Sequence, residues 1–183
     1  LQRIFADYHN DPAIWQVRSL LVFRNGRLIA ESYTKDDNDQ TTPRAIWSCT
    51  KQVLGILTGI AVENHIINSI DDSISDYLSQ TEMYADKKDI TIRNLMSMKS
   101  GIDYCNDGFA QTSQILRQFP NQIVDFILAR PLAYKPGEKF FYKDGDPQLV
   151  SACIQQQCGK PTSEWAKEVL FDKLEIQHLD WCS

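Results

Sequence analysis

The chain has 183 residues, 43% of them hydrophobic and 23% charged, with a net charge of −5. That is the composition of a folded domain of ordinary size. The acidic balance excludes the basic face of a nucleic-acid binder, and the longest apolar run, Val53 to Val62, is too short to span a bilayer.

Taken in chain order, residues 2–9 have the spacing of a short amphipathic helix. RSLLVFRNGRLIAESYT reads as two strands joined by Asn25-Gly26, since both residues tolerate the positive φ of a tight hairpin turn. KDDNDQTTP, with Asp36, Asp37 and Asp39, reads as a solvated acidic loop. The stretch opened by Ser48 is helical to about Asn64. It is apolar on most sides and is expected at the centre of the fold, with Gly55 and Gly59 on one face for close packing. Thr91 is a candidate cap for TIRNLMSM, which Gly101 ends. Asn121 stands before QIVDFILAR, which Pro131 stops. Asp146-Pro147 has the form of an N-cap and first helical residue, opening PQLVSACIQQQ, with Gly159 closing it. Thr162 opens a last helix through Val169, and Trp165, Phe171 and Leu174 fall at core spacing. An isolated hairpin is marginal in water, and few other strands are legible. The expected class is therefore α+β: one domain over residues 1–183, mostly helical, with an N-terminal hairpin that either packs on helices alone or belongs beside strands missing from this chain.

Five cysteines, Cys49, Cys105, Cys153, Cys158 and Cys182, include no C-x-x-C, and His9, His65 and His178 show no H-x-x-x-H spacing. Neither a metal centre nor a complete disulfide framework is predicted. Cys153 and Cys158 do not share a helix face, which argues against a bridge between them.

The chemistry is carried elsewhere. Ser48 and Lys51 are three apart at the start of the apolar helix, so their side chains share a face. A serine there gains from the helix dipole and from unpaired backbone N–H groups. Burial among apolar neighbours would favour the neutral form of Lys51, which could then take the serine proton. A second S-x-x-K, Ser32 to Lys35, falls at the end of a strand, where residues three apart point to opposite faces. In PGEKFFYKDGDPQL, Tyr142 precedes Lys143 and Asp144 just before a helix. Nearby ammonium groups would lower the pKa of its phenol.

With these residues in place, the chain resembles the serine β-lactamase-related family, which includes class C β-lactamases, D-alanyl-D-alanine carboxypeptidases, esterases and 6-aminohexanoate-dimer hydrolases. SCTK resembles the family's S-x-x-K. TIRNLMSMKSGI resembles its helix-and-turn segment, PGEKFFYKDGDPQLVSACI its PGxxFxYSNxGYxLLGxII, and WAKEVLFDKLEIQHLDW its stretch ending IFEPLGMKDTSW. The resemblance implies a β-lactamase/transpeptidase-like fold of which this chain is the N-terminal portion. It implies Ser48 as the acylated nucleophile, Lys51 and Tyr142 as the groups that move protons, and no cofactor or metal. Asp144 stands where Y-x-N has Asn. An Asn amide can donate a hydrogen bond, whereas an ionised Asp only accepts. Asp144 would thus hold Lys51 as a cation and favour a substrate with a cationic group. Tyr8-His9-Asn10 and Tyr104-Cys105-Asn106 also fit Y-x-N. The first precedes the serine, and Tyr104 falls in a segment that implies a substrate-cleft role.

A third family motif, [KH]-[TS]-G on a strand, has no counterpart. Lys99-Ser100-Gly101 spells KSG, but it precedes Tyr142 and matches the helix-and-turn segment. The motif and the remaining strands are expected in a C-terminal part of the same protein. The expected activity is hydrolysis of an ester, amide or lactam in a small or peptide-like substrate through a Ser48 acyl-enzyme. The alternative is a non-catalytic sensor that binds β-lactam or peptide-like ligands, or a truncated relative that cannot turn over. The resemblance points to the periplasm or a secreted location.

Overall fold

Asn25 (φ 51°) and Gly26 (φ 73°) both adopt left-handed backbone, the turn that matches the twist of a hairpin. They join β1 (Ser19–Arg24) to β2 (Arg27–Tyr33), paired antiparallel from Arg24↔Arg27 to Ser19↔Tyr33 with a register irregularity between Val22 and Phe23. The computed structural model describes residues 2–10, 17–33, 39–103, 122–177 and 180–181. They fall into two units, Leu1–Ala45 and Ile46–Ser183. Among the described residues the hairpin is the whole sheet, and helix α1 (Gln2–Asn10) precedes it.

Asp39 departs from the solvated loop expected of it. Its side chain is 1% exposed, and Oδ1 accepts from Arg44 at 2.7 Å and from Arg18 at 3.1 Å. Two guanidiniums offset the cost of removing that carboxylate from water. Asp36 and Asp37 lie outside the described residues.

The second unit is helical. A 3₁₀ turn, Trp47–Cys49, leads into α2 (Thr50–Glu63). Then come α3 (Ile92–Met96), α4 (Ile123–Leu128), α5 (Gly145–Cys158) and α6 (Thr162–Ala166), the last running into a π-helical turn at Lys167–Phe171. Helices α2, α3, α4 and α6 all pack on α5. Leu57, Leu95, Leu128, Leu149 and Ile154 are fully buried at this junction; each such side chain contributes about 1.5–3 kcal/mol.

Several boundaries differ from expectation. Helix α2 is buried on one side only, through Leu54, Leu57, Thr58 and Ala61, while Ile56 is 54% exposed. No described atom lies within 4 Å of where a Cβ on Gly55 or Gly59 would be, so the close packing expected there is not seen. Thr91 does cap α3, in a reciprocal box with Asn94 (3.1 and 3.0 Å). The helix ends at Met96 rather than near Gly101, since the backbone turns left-handed at Met98 (φ 55°). Asn121 lies outside the described residues. Helix α5 begins at Gly145, with Asp144 rather than Asp146 at its N-cap. Pro147 still falls in the first turn, where an absent N–H leaves nothing unpaired. Gly159 closes α5 with φ 67°. Trp165 and Phe171 are buried, but Leu174 is 58% exposed. Cys153 and Cys158 are both free thiols.

One turn aligns the two halves of this unit. Gly101 has φ 81°, and a Cβ on it would lie 2.1 Å from the Tyr134 carbonyl oxygen. The close approach lets Ala133 N–H donate to Gly101 O (2.8 Å), Gly137 N–H to Lys99 O (2.8 Å) and Phe141 N–H to Met98 O (2.9 Å). Residues 98–101 are thereby stitched to the segment that delivers Tyr142. Gly101→Ala should lower the unfolding free energy by about 3 kcal/mol, from left-handed strain plus collision with main chain. Urea unfolding of the two proteins measures it, and a loss below about 1 kcal/mol would show that the turn relaxes.

Candidate active site

Ser48 sits on the 3₁₀ turn that starts α2, and Lys51 one turn further on. Lys51 Nζ donates to Ser48 Oγ at 3.0 Å. The Tyr142 hydroxyl donates to the same oxygen at 2.6 Å, across a sequence separation of 94 residues. Lys51 Nζ also lies 5.0 Å from the centre of the Tyr142 ring. Asp144 completes the group. Its side chain caps no backbone N–H of α5. Instead Oδ1 is 2.7 Å from Lys51 Nζ, the two side chains being 29% and 19% exposed.

The charges do not follow from burial alone. Loss of solvent favours a neutral Lys51, as the sequence suggested, but Asp144 and then Tyr142 outweigh it and hold the amine above its ordinary pKa. Lys51 is therefore an ammonium in this arrangement, not a ready base. Tyr142 moves the other way: the Ser48 hydroxyl and the Lys51 ammonium bring its phenol below the usual value. Of the two groups touching Ser48 Oγ, the tyrosine is the one shifted toward accepting a proton at moderate pH.

The backbone before Ser48 is unusual. Trp47 has φ 47°, a left-handed conformation that a bulky residue adopts at a cost of about 1–3 kcal/mol. Its side chain is 78% exposed. No sequence signal marks this, because Ile46-Trp47 carries none of the Gly or Asn that usually announce positive φ. An open cleft of about 640 Å³ runs beside Ser48, lined on its apolar side by Leu54, Met96, Met98, Phe140 and Val150. Cys49 borders the same cleft as a free, exposed thiol. None of this apolar lining carries a functional signal in the sequence; Leu54 and Val150 belong to the core, and only the fold shows Met96 and Phe140 to be exposed.

Ser48, Lys51, Tyr142 and Asp144 are thus brought together, while Tyr104 lies outside the described residues. Among the described residues no three His, Cys, Asp or Glu side chains gather as a metal site, and no helix is long and apolar enough to cross a membrane.

The family model described as Beta-lactamase matches residues 17–181. The teichoic acid D-alanine hydrolase of Staphylococcus aureus is 28% identical over 167 residues, which are 87% of this chain and 40% of that protein. Among solved structures, a penicillin-binding protein from Bacillus halodurans superposes with a TM-score of 0.67 at 16% identity, over 88% of this chain and 53% of that one. FmtA from Staphylococcus aureus superposes with a TM-score of 0.66 at 24% identity, over 97% of this chain and 48% of that one. The chain therefore spans about half, or less, of the length of these relatives.

The Tyr142 phenol should titrate below the ordinary value of about 10, and Lys51→Met should move it upward. Tyrosine 13Cζ NMR against pH, with the signal assigned through Tyr142→Phe, reads both. An ordinary phenol titration in the wild type would remove the electrostatic basis of the site.

Proposed function

This chain belongs to the beta-lactamase family and has its β-lactamase/transpeptidase-like fold; from that premise we propose that it is the nucleophile-bearing part of a serine hydrolase working through a Ser48 acyl-enzyme. The observation that carries the proposal is the convergence of Lys51 and Tyr142 on Ser48 Oγ, at 3.0 and 2.6 Å.

In this reading the Tyr142 phenolate accepts the Ser48 proton as Oγ attacks a carbonyl carbon. Lys51, kept protonated by Asp144, stabilises the phenolate and donates to Oγ without leaving its place. The positive end of the α2 dipole favours the oxyanion that develops beside Ser48. Collapse of the tetrahedral intermediate breaks the bond to the leaving group, which takes its proton from the Tyr142 hydroxyl. Water then attacks the acyl-enzyme with the phenolate again as base, releasing a carboxylic acid and restoring Ser48. No cofactor enters these steps.

Asp144 bears on the substrate. A carboxylate accepts but cannot donate, so it favours an acyl or leaving group with an ammonium over one offering a neutral carbonyl. An aminoacyl ester meets that requirement, and its class agrees with the name of the teichoic acid D-alanine hydrolases. The same Asp144–Lys51 contact also favours a second reading, a sensor acylated once without turnover, since a strongly held ammonium is slow to share a proton.

Intact mass after exposure to a fluorophosphonate should show one adduct on the wild-type protein and none on Ser48→Ala. Steady hydrolysis of a nitrophenyl ester beyond one equivalent separates the enzyme from the sensor, and hydrolysis by Ser48→Ala at the wild-type rate would end the proposal. For pH dependence, the rate should rise as the lowered Tyr142 phenol ionises and fall as the raised Lys51 ammonium deprotonates. Lys51→Met should lower kcat by about 10²–10⁴-fold and carry the rising limb to higher pH. A pH–rate profile of both proteins gives the result, and an unmoved limb would assign it to another group.

A further inference from the structure

Two buried charges have no part in that chemistry. Lys143 and Asp146 follow Tyr142 on the same turn into α5 but point the other way. Lys143 is 3% exposed and Asp146 is fully buried, whereas Tyr142 is 51% exposed. Asp146 Oδ1 accepts from Ser100 Oγ at 2.6 Å, and Oδ2 accepts from the Ser100 N–H at 3.3 Å. Lys143 Nζ lies 3.8 Å from Oδ1 and donates to the Ile102 carbonyl at 3.0 Å. Ser100 Oγ accepts in turn from the Ile102 N–H at 3.2 Å. The residue before Tyr142 is held as well, by the 2.9 Å bond from Phe141 N–H to Met98 O. Tyr142 is anchored on both sides to residues 98–102.

Stability does not explain this set. Burial pushes the Asp146 carboxyl up to about 6, against the opposing pull of Lys143 and Ser100. A carboxyl whose folded pKa stands above its unfolded value favours folding less once pH rises through that range. At neutral pH the ionised Asp146 therefore works against the fold. Apolar residues of similar volume serve a core as well as a buried ion pair does, or better. What they lack is direction, because hydrogen bonds fix angle as well as distance. Direction matters here, since proton transfer at Ser48 depends on a 2.6 Å contact made by a half-exposed side chain.

We propose that Lys143, Asp146 and Ser100 form a positioning lock that holds the Tyr142 phenol against Ser48 and the Asp144 carboxylate against Lys51. The three touch neither substrate nor Ser48. Their role rests on the acyl-enzyme reading above, and they act through the turn that carries Tyr142 and Asp144.

The test uses Ser100→Ala and the pair Lys143→Met with Asp146→Leu, which leaves no buried charge behind. Folding is checked by thermal unfolding, the Tyr142 titration by tyrosine 13Cζ NMR, and acylation by the rate of fluorophosphonate labelling. In both folded proteins the Tyr142 phenol should titrate nearer its ordinary value than in the wild type. Labelling should slow by about 10-fold or more, the scale expected when a catalytic contact shifts by a fraction of an ångström. A purely structural role would lower the melting temperature and leave the Tyr142 titration where it was. Wild-type titration and labelling rate in folded Ser100→Ala would overturn the lock. The NMR readout needs no turnover. A shifted Tyr142 in a protein that no probe labels keeps the lock and rejects the acyl-enzyme, while Ser48-dependent labelling unchanged in the variants does the reverse.

Discussion

Ser48 Oγ is met by two side chains that lie far apart in sequence, Lys51 and Tyr142, and much of the second unit can be understood from that convergence. Lys51 needs only a helix, because residues three apart share a face. Tyr142 needs a tertiary contact. It is brought there by the packing of α5 on α2 and by the main-chain bonds that join residues 98–101 to residues 133–141. Gly101 is the narrowest point of that arrangement, since any side chain on it would displace the Tyr134 carbonyl. Helix α5 thus serves as the hub of the core and as the base of the loop on which Tyr142 and Asp144 stand.

The Asp144–Lys51 contact is the larger of the two that oppose burial at Lys51, the other being Tyr142. With it, the ammonium persists, and the benefit passes to the tyrosine whose ring lies beside it. In the proposed chemistry, an Asp at the Asn position of the Y-x-N pattern therefore shifts the work of proton transfer from the lysine to the tyrosine.

Local features were legible in the sequence. Asn25-Gly26 announced its hairpin, Thr91 its cap and Gly159 its helix end, because each depends on the backbone of a few residues. Ser48, Lys51 and Tyr142 were legible as residue types in an order. What could not be read was burial. Asp39 stands in an acidic run and looks solvated, yet Arg18 and Arg44 enclose its carboxylate. Helix α2 looks apolar all round, yet Ile56 and Gly59 face outward. For Lys51 the sequence offered both tendencies, burial toward the neutral amine and Asp144 toward the cation, and which prevails depends on how close the fold brings Asp144. Lys143 and Asp146, three apart on a turn, gave a weak hint of a pair, but only the fold reveals that they point inward to Ser100.

Trp47 has a use beyond its strained backbone. Of the four tryptophans in the chain, Trp47 is 78% exposed and adjoins Ser48, while Trp165 is 5% exposed and sealed in the core. An indole in water emits at longer wavelength than one in an apolar interior, and an external quencher such as iodide reaches it freely. With Trp15 and Trp181 replaced by Phe, the red edge of the emission reports on the surroundings of Ser48 and the blue edge on the packing around α6. One spectrum then follows the backbone beside Ser48 and the integrity of the core on separate optical channels.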